Sequence, residues 1–231
     1  MLRTHGLGPA LKRRYSAKSA LKIFQNAGLA KCVAKATNSE SIPASHGLPE
    51  IIVTGRANVG KSTLLNAVLG RRDLLPTSNK AGKTRSLDFY LVGAEPGKLI
   101  VVDAPGYGSR GRPEWGDLFR YYVSNRQELR RVYVLISAIL GLNEADRAML
   151  AMLDEQCQAS GGTSFTLQAI VTKADGILDK RDAKERVTSI RRGIFEAAPT
   201  CLPMILTSAG QRPFFGVDDV RANIADACAL V

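Results

Sequence analysis

Apolar and polar positions follow two alternating periods along most of this chain. From Leu48 onward, short apolar runs bounded by Gly, Pro and polar residues take turns with longer stretches whose apolar residues recur every three or four positions. The runs predict six strands: Ile51–Thr54, Leu87–Val92, Leu99–Val102, Val132–Ile136, Phe165–Val171 and Pro203–Leu206. The amphipathic stretches predict helices over Thr63–Leu69, Pro113–Leu129, Glu144–Gln156, Lys180–Phe195 and Val217–Ala229. This order specifies an α/β domain, a mostly parallel six-stranded sheet with helices on both faces. The tight turn Ala94-Glu95-Pro96-Gly97 makes the second and third strands a hairpin, so one strand runs antiparallel. No period holds between Leu74 and Ser86, which carries Pro76 and Gly82. A loop of that length in a compact domain is commonly functional.

Length and composition narrow the class. The 231 residues, 45% hydrophobic and 23% charged, can form one α/β domain with a full core and a short appendage. Cys32, Cys157, Cys201 and Cys228 are scattered without a C-x-x-C pair, which argues against a zinc site or a disulfide framework and for a reducing compartment. The longest apolar stretch, Val132–Leu142, falls well short of the ~20 residues that span a bilayer, so no membrane span is expected.

The net charge of +11 looks like a nucleic-acid signal until it is located. Arg3, Lys12, Arg13, Arg14, Lys18, Lys22, Lys31 and Lys35 lie before Ser39 with no acidic residue among them, and the rest of the chain is close to balance at +3. A basic, acid-free segment dotted with Ser, Ala and Leu has the composition of a mitochondrial presequence. Residues 1–39 are therefore expected to be a transit peptide, with cleavage after Tyr15 suggested by Arg13-Arg14-Tyr15-Ser16, and residues 48–231 the catalytic domain. A basic RNA-binding tail is the competing reading.

Three short segments carry the chemistry. Gly55-Arg56-Ala57-Asn58-Val59-Gly60-Lys61-Ser62, followed by Thr63, lies between a predicted strand and a predicted helix, the context of a phosphate-binding P-loop. Its glycines let backbone N–H groups turn inward on an anion, and the helix N-terminus adds a positive dipole end. Lys61 can reach β- and γ-phosphates and Ser62 can ligate Mg²⁺. Asp103-Ala104-Pro105-Gly106 follows an apolar strand, placing a carboxylate to hold Mg²⁺ through water and a bare N–H at Gly106 for the γ-phosphate. Thr172-Lys173-Ala174-Asp175 closes another strand. One carboxylate can accept both N1–H and N2–H₂ of guanine, donors that adenine does not present together, while Lys173 lies along the ring. Thr207-Ser208-Ala209 could then supply an N–H to guanine O6.

With these segments the chain resembles the EngB-type small GTPases, and the mitochondrial members in particular. The resemblance runs from about Phe24 onward. It rests on Pro49-Glu50, Gly-Arg-x-Asn-Val-Gly-Lys-Ser, Gly82-Lys83-Thr84-Arg85, Asp-x-Pro-Gly-Tyr-Gly ending at Gly108, Trp115, Tyr122, Arg126 and Thr-Lys-Ala-Asp. It implies a Ras-like P-loop GTPase fold, binding of GTP and Mg²⁺, and a role in large-subunit ribosome assembly. It also implies Mg²⁺ ligation by Ser62 and by Thr84, with Thr84 sensing the γ-phosphate, and nucleotide contact by Gly82 and Lys83. Catalysis is assigned to Asn58, Lys61, Thr84 and Gly106, with Asn58 a holder of K⁺. A glutamine in Ras-like switches orients the attacking water; here Tyr107 follows Gly106, so intrinsic turnover should be slow.

Two departures stand out. Ala57 replaces the usual serine, and Ser137-Ala138-Ile139-Leu140-Gly141 lacks the acidic residue and the Arg-His pair found in relatives. A monomeric GTPase acting on a mitochondrial ribosomal subunit or its rRNA is the expectation, and a non-hydrolysing guanine-nucleotide-gated binding module is the alternative. Arg71, Arg72, Lys80, Lys83, Arg85, Arg110, Arg112, Arg126, Arg130 and Arg131 are candidates for rRNA phosphate contact if they share a surface.

Overall fold

The computed structural model describes residues 23–24, 30–45, 47–76, 86–108, 113–162, 164–210 and 212–230. Seven strands are present: β1 Lys31–Ala36, β2 Glu50–Gly55, β3 Leu87–Val92, β4 Leu99–Asp103, β5 Leu129–Ser137, β6 Thr166–Thr172 and β7 Leu202–Leu206. The helices are α1 Lys61–Val68, α2 Pro113–Asn125, α3 Glu144–Ala159, a single turn α4 Asp175–Leu178, α5 Ala183–Ala197 and α6 Val217–Ala227. Sheet order is β1-β3-β4-β2-β5-β6-β7, and β3 alone runs against the other six.

Strand alternation divides the core into two layers. Ile52, Val132, Val134 and Ile136 point to one face, where they meet Leu118, Phe119 and Tyr122 of α2, Leu150 and Leu153 of α3, and Ile190 and Ile194 of α5. Ile51, Val53, Tyr133 and Leu135 point to the other, against Leu64, Leu65 and Val68 of α1 and Val220 and Ile224 of α6. Both faces of β2 and β5 are covered, which is why these strands read as unbroken apolar runs.

The sheet has seven strands rather than six. The additional strand β1 lies inside the segment assigned to a basic extension ending at residue 39, so the folded unit begins before that boundary. Two of the eight basic residues counted there, Lys31 and Lys35, pair with Glu95 and Asp88, each at 2.7 Å. Phe24, also upstream, is buried against the α1–α6 layer. The α2 helix stops at Asn125, earlier than its pattern suggests, because Leu129 and Arg131 are drawn into β5. The helix predicted from Lys180 begins at Ala183 and runs to Ala197 as α5, with the separate turn α4 upstream of it.

At the end of the sheet opposite the phosphate loop, Glu50 is buried and accepts two hydrogen bonds from Arg126, from Nε at 2.8 Å and Nη2 at 2.6 Å. The Tyr122 hydroxyl donates to the same carboxylate. Three of the residues that mark the family resemblance thus form one buried unit. Removing any one would strand a charge or a donor away from water.

Candidate functional site

The phosphate loop is built by β2 running out at Gly55 and α1 starting at Lys61. Val59 N–H donates to the Arg56 carbonyl at 3.2 Å and closes the loop. Gly60 holds φ +101°, a left-handed conformation that suits glycine, and no side chain caps the helix behind it. The first N–H groups of α1 and its positive dipole end are therefore not satisfied by a cap, which is the arrangement an anion completes.

β4 lies parallel to β2 with Asp103 beside Val53. The Lys61 ammonium rests on the Asp103 carboxylate, and both side chains are buried. Burial holds the Asp103 carboxyl above its ordinary value near 3.8, with Lys61 pulling the other way and Asp88, its neighbour on β3, pushing it further up. Gly106 sits where a Cβ would come 3.2 Å from the Gly55 carbonyl oxygen and 3.3 Å from the Ala57 nitrogen. Any side chain there would force the two loops apart.

Arg56 and Tyr107 turn away from this concavity. They form a parallel bridge, and Tyr107 N–H donates to the Gly55 carbonyl at 3.3 Å. The Tyr107 hydroxyl donates to Asp146 Oδ1 on α3 at 2.9 Å. Arg56 Nε lies 3.0 Å from Asp146 Oδ2. That N–H has no well-directed acceptor, so the contact is an ion pair rather than a formed hydrogen bond. Arg56 Nη2 donates to the Gly141 carbonyl at 2.8 Å. Burial, then Asp146, holds the Tyr107 phenol well above its ordinary pKa, so it stays a donor.

The third segment is bonded to the first. Thr172 Oγ1 donates to the Val59 carbonyl at 2.6 Å, and Lys173 Nζ to the Asn58 carbonyl at 2.7 Å. Asp175 accepts from Ser208 Oγ at 2.6 Å, which fixes the carboxylate at the head of α4. Ala174 N–H donates to the Thr207 carbonyl at 3.0 Å. Thr207 and Ser208 spend their own N–H groups on Val171 and Phe215. Of the three residues expected to offer an N–H to guanine O6, Ala209 is the one not engaged within the described residues.

Gly55–Thr63, Asp103–Gly106, Thr172–Asp175 and Thr207–Ala209 thus meet at the end of the sheet where β2, β4, β6 and β7 run out. Gly82, Lys83, Thr84, Lys80, Arg85, Arg110 and Arg112 lie outside the described residues, as does the cut expected after Tyr15. The Arg56 guanidinium faces α3 rather than the loop's interior. Arg126 and Arg131 leave the proposed rRNA surface, because Arg126 is spent on Glu50 and Arg131 on Thr166 and Asn223. Asp146 escaped the sequence reading. The spacing Asn143-x-x-Asp146 could have flagged a helix cap, but nothing in it announces Arg56 or Tyr107 as partners.

Residues 50–194 match the model of a family described as 50S ribosome-binding GTPases. The chain is 33% identical over 197 residues to the GTP-binding protein EngB of Roseobacter denitrificans, covering 81% of this chain and 85% of that one. To the EngB protein of Rhodospirillum rubrum it is 36% identical over 189 residues, covering 78% and 77%. Among solved structures, Toc33 from Arabidopsis thaliana superposes with a TM-score of 0.64 at 12% identity, over 94% and 93% of the two chains. Era in complex with MgGDPNP and nucleotides 1506–1542 of 16S ribosomal RNA gives 0.54 at 22% identity. That match covers 78% of this chain and only 56% of the Era chain. At such identities the two structures establish the fold, a Ras-like GTPase domain.

Proposed function

The chain belongs to the EngB family of GTP-binding proteins and is a GTPase, and from that premise we propose that it is a slow guanine-nucleotide switch in assembly of the mitochondrial large ribosomal subunit. The observation that carries the switch reading is the convergence of phosphate loop, Asp103–Gly106 and Thr172–Asp175 at one end of the sheet. The bonds Thr172–Val59 and Lys173–Asn58 make the base-reading and phosphate-reading loops hold each other in place.

In this reading Lys61 exchanges Asp103 for the β- and γ-phosphates, and Gly106 offers its N–H to the γ-phosphate. Asp175, aimed by Ser208, accepts N1–H and N2–H₂ of guanine, and Ala209 donates to O6. The oxygen donors fit Mg²⁺. Ser62 stands in the first turn of α1 and Asp103 at the end of β4, and Thr84 would join them. When bound, the ion neutralises charge on the β- and γ-oxygens.

The ribosomal role is supported by the family description. The mitochondrial address is supported by six basic and no acidic residues before residue 30. Contact with rRNA would be to backbone and shape, since no RNA-recognition motif is present in the sequence. No helix among the described residues is long and apolar enough to cross a membrane. Co-sedimentation of the monomer with large-subunit assembly particles, in GTP and in GDP, tests the reading; equal failure in both nucleotides would refute it. Fusion of residues 1–29 to a reporter tests the address, and a cytosolic reporter would refute that.

A further inference from the structure

One carboxylate joins three parts of the molecule. Asp146 is fully buried at the third position of α3. It completes the capping box with Asn143, accepting the Asn143 N–H at 3.0 Å on Oδ2. A capping box satisfies its orphan N–H groups with no tertiary partner, yet here each oxygen has one. Oδ1 receives the hydroxyl of Tyr107, from the loop that follows Asp103, and Oδ2 stands 3.0 Å from Arg56 of the phosphate loop. Arg56 is held from its other end by the Gly141 carbonyl. The side chains beside Gly106 and beside Gly55 are therefore both anchored to α3, while their backbones are bridged to each other.

The placement of Tyr107 gives this arrangement a consequence for the reaction. Its N–H and that of Gly106 are adjacent in the chain, and Gly106 packs closely on Gly55 and Ala57. The phenol ring starts one residue from the γ-phosphate position and lies against α3; released from that contact, it can reach the face where water must attack. We propose that Asp146 is a positioning residue for GTP hydrolysis: its carboxylate holds the Tyr107 ring against α3 and so keeps the γ-phosphate face open to water. It acts through Tyr107.

A role confined to capping α3 predicts different behaviour. In the full chain, Asp146→Ala should lower kcat about tenfold or more while the affinities for GDP and GTP stay within about threefold of wild type. Asp146→Asn keeps one acceptor oxygen, for the cap or for the phenol but not for both, and its kcat should fall between those of wild type and Asp146→Ala. The diagnostic variant is Asp146→Ala combined with Tyr107→Ala. With no ring to obstruct the phosphate, its kcat should recover to within about threefold of wild type. A double variant no faster than Asp146→Ala, or an Asp146→Ala protein with wild-type kcat, overturns the proposal. Should Asp146→Ala fail to bind GDP because it does not fold, Tyr107→Phe reads the same bond with the cap intact. A drop of about threefold or more in kcat at unchanged GDP affinity supports the proposal, and an unchanged kcat overturns it.

Discussion

Lys61 and Asp103 form an ion pair that is closed to water, at the place where the phosphate loop meets the end of β4. The pair keeps both groups compensated until a nucleotide takes the lysine. Burial nevertheless leaves the Asp103 carboxyl above its ordinary value. A carboxyl whose pKa is higher in the folded state than near 3.8 stabilises the fold most below that unfolded value, and loses the contribution as pH rises through the folded pKa. Relative to Asp103→Asn, the nucleotide-free wild type should therefore gain thermal stability as pH falls through that window. Over the same window Mg²⁺-dependent GTP affinity should decline, since a protonated Asp103 no longer attracts the ion's water. Differential scanning calorimetry and nucleotide titration across pH would check both, and movement of the two in the same direction would contradict the assignment.

Asp175 should carry guanine specificity. Asp175→Asn replaces an acceptor with a mixed donor and acceptor and breaks the pairing set up by Ser208. Loss of a charge-assisted hydrogen bond costs about 1.5–3 kcal/mol, or roughly tenfold or more in GTP affinity. Xanthosine triphosphate should be bound better than GTP by the variant. Equal GTP affinity in the two proteins would refute the assignment.

Turnover should be faster in K⁺ than in Na⁺ at equal ionic strength. With Tyr107 docked on Asp146, the residue that follows Gly106 is not placed to orient water, and unassisted hydrolysis should be on the order of 10⁻³ s⁻¹ or less. A monovalent cation held by Asn58 would neutralise charge developing in the transition state. Asn58 has φ +62°, so Asn58→Ala carries a backbone cost that Asn58→Gly avoids. Both variants should lose the K⁺ advantage. Steady-state rates in matched salts decide it, and a K⁺ advantage that survives in Asn58→Gly would place the ion elsewhere.

Removing the N-terminus in two steps should give two outcomes. A chain starting at Ser16 keeps Phe24 and β1 and should bind nucleotide with wild-type stability. A chain starting at residue 40 loses β1 and its pairs to Glu95 and Asp88 and leaves β3 as an open edge. It should lose at least ~2 kcal/mol, a fall of roughly 4–8 °C in Tm for a domain of this size. Equal melting of the two truncated proteins would show that β1 is dispensable.

What the sequence yielded follows from where each signal is written. β2, β4, β5 and β6 are buried on both faces, and burial writes itself as apolar runs. Loop segments such as Gly55–Ser62 and Thr172–Asp175 are legible because phosphate and guanine chemistry fix residue type and spacing together. β1 has no such mark. In Lys31-Cys32-Val33-Ala34-Lys35-Ala36 only Ala36 is buried, and the strand is held by backbone pairing and by two lysines that read as presequence charge. Lysines are also what an edge strand uses to repel other chains. Asp146 was hidden for a different reason. Its role depends on Arg56 and Tyr107, from two separate loops, arriving at one carboxylate, and only the fold brings them there.

β1 also sets an order of events in time. Among the described strands it is the first to be synthesised, and it has no partner strand at that point. Ala36 must wait for Leu87 and Lys31 for Leu91, by which point β2 and α1 have been made. The β3–β4 hairpin, joined by a tight turn, is a local contact that can close early, whereas β1 faces the longer loop closure. In the interval Lys31 and Lys35 keep an unpaired strand charged in water, and the acids that will later neutralise them arrive only with β3 and the turn that follows it.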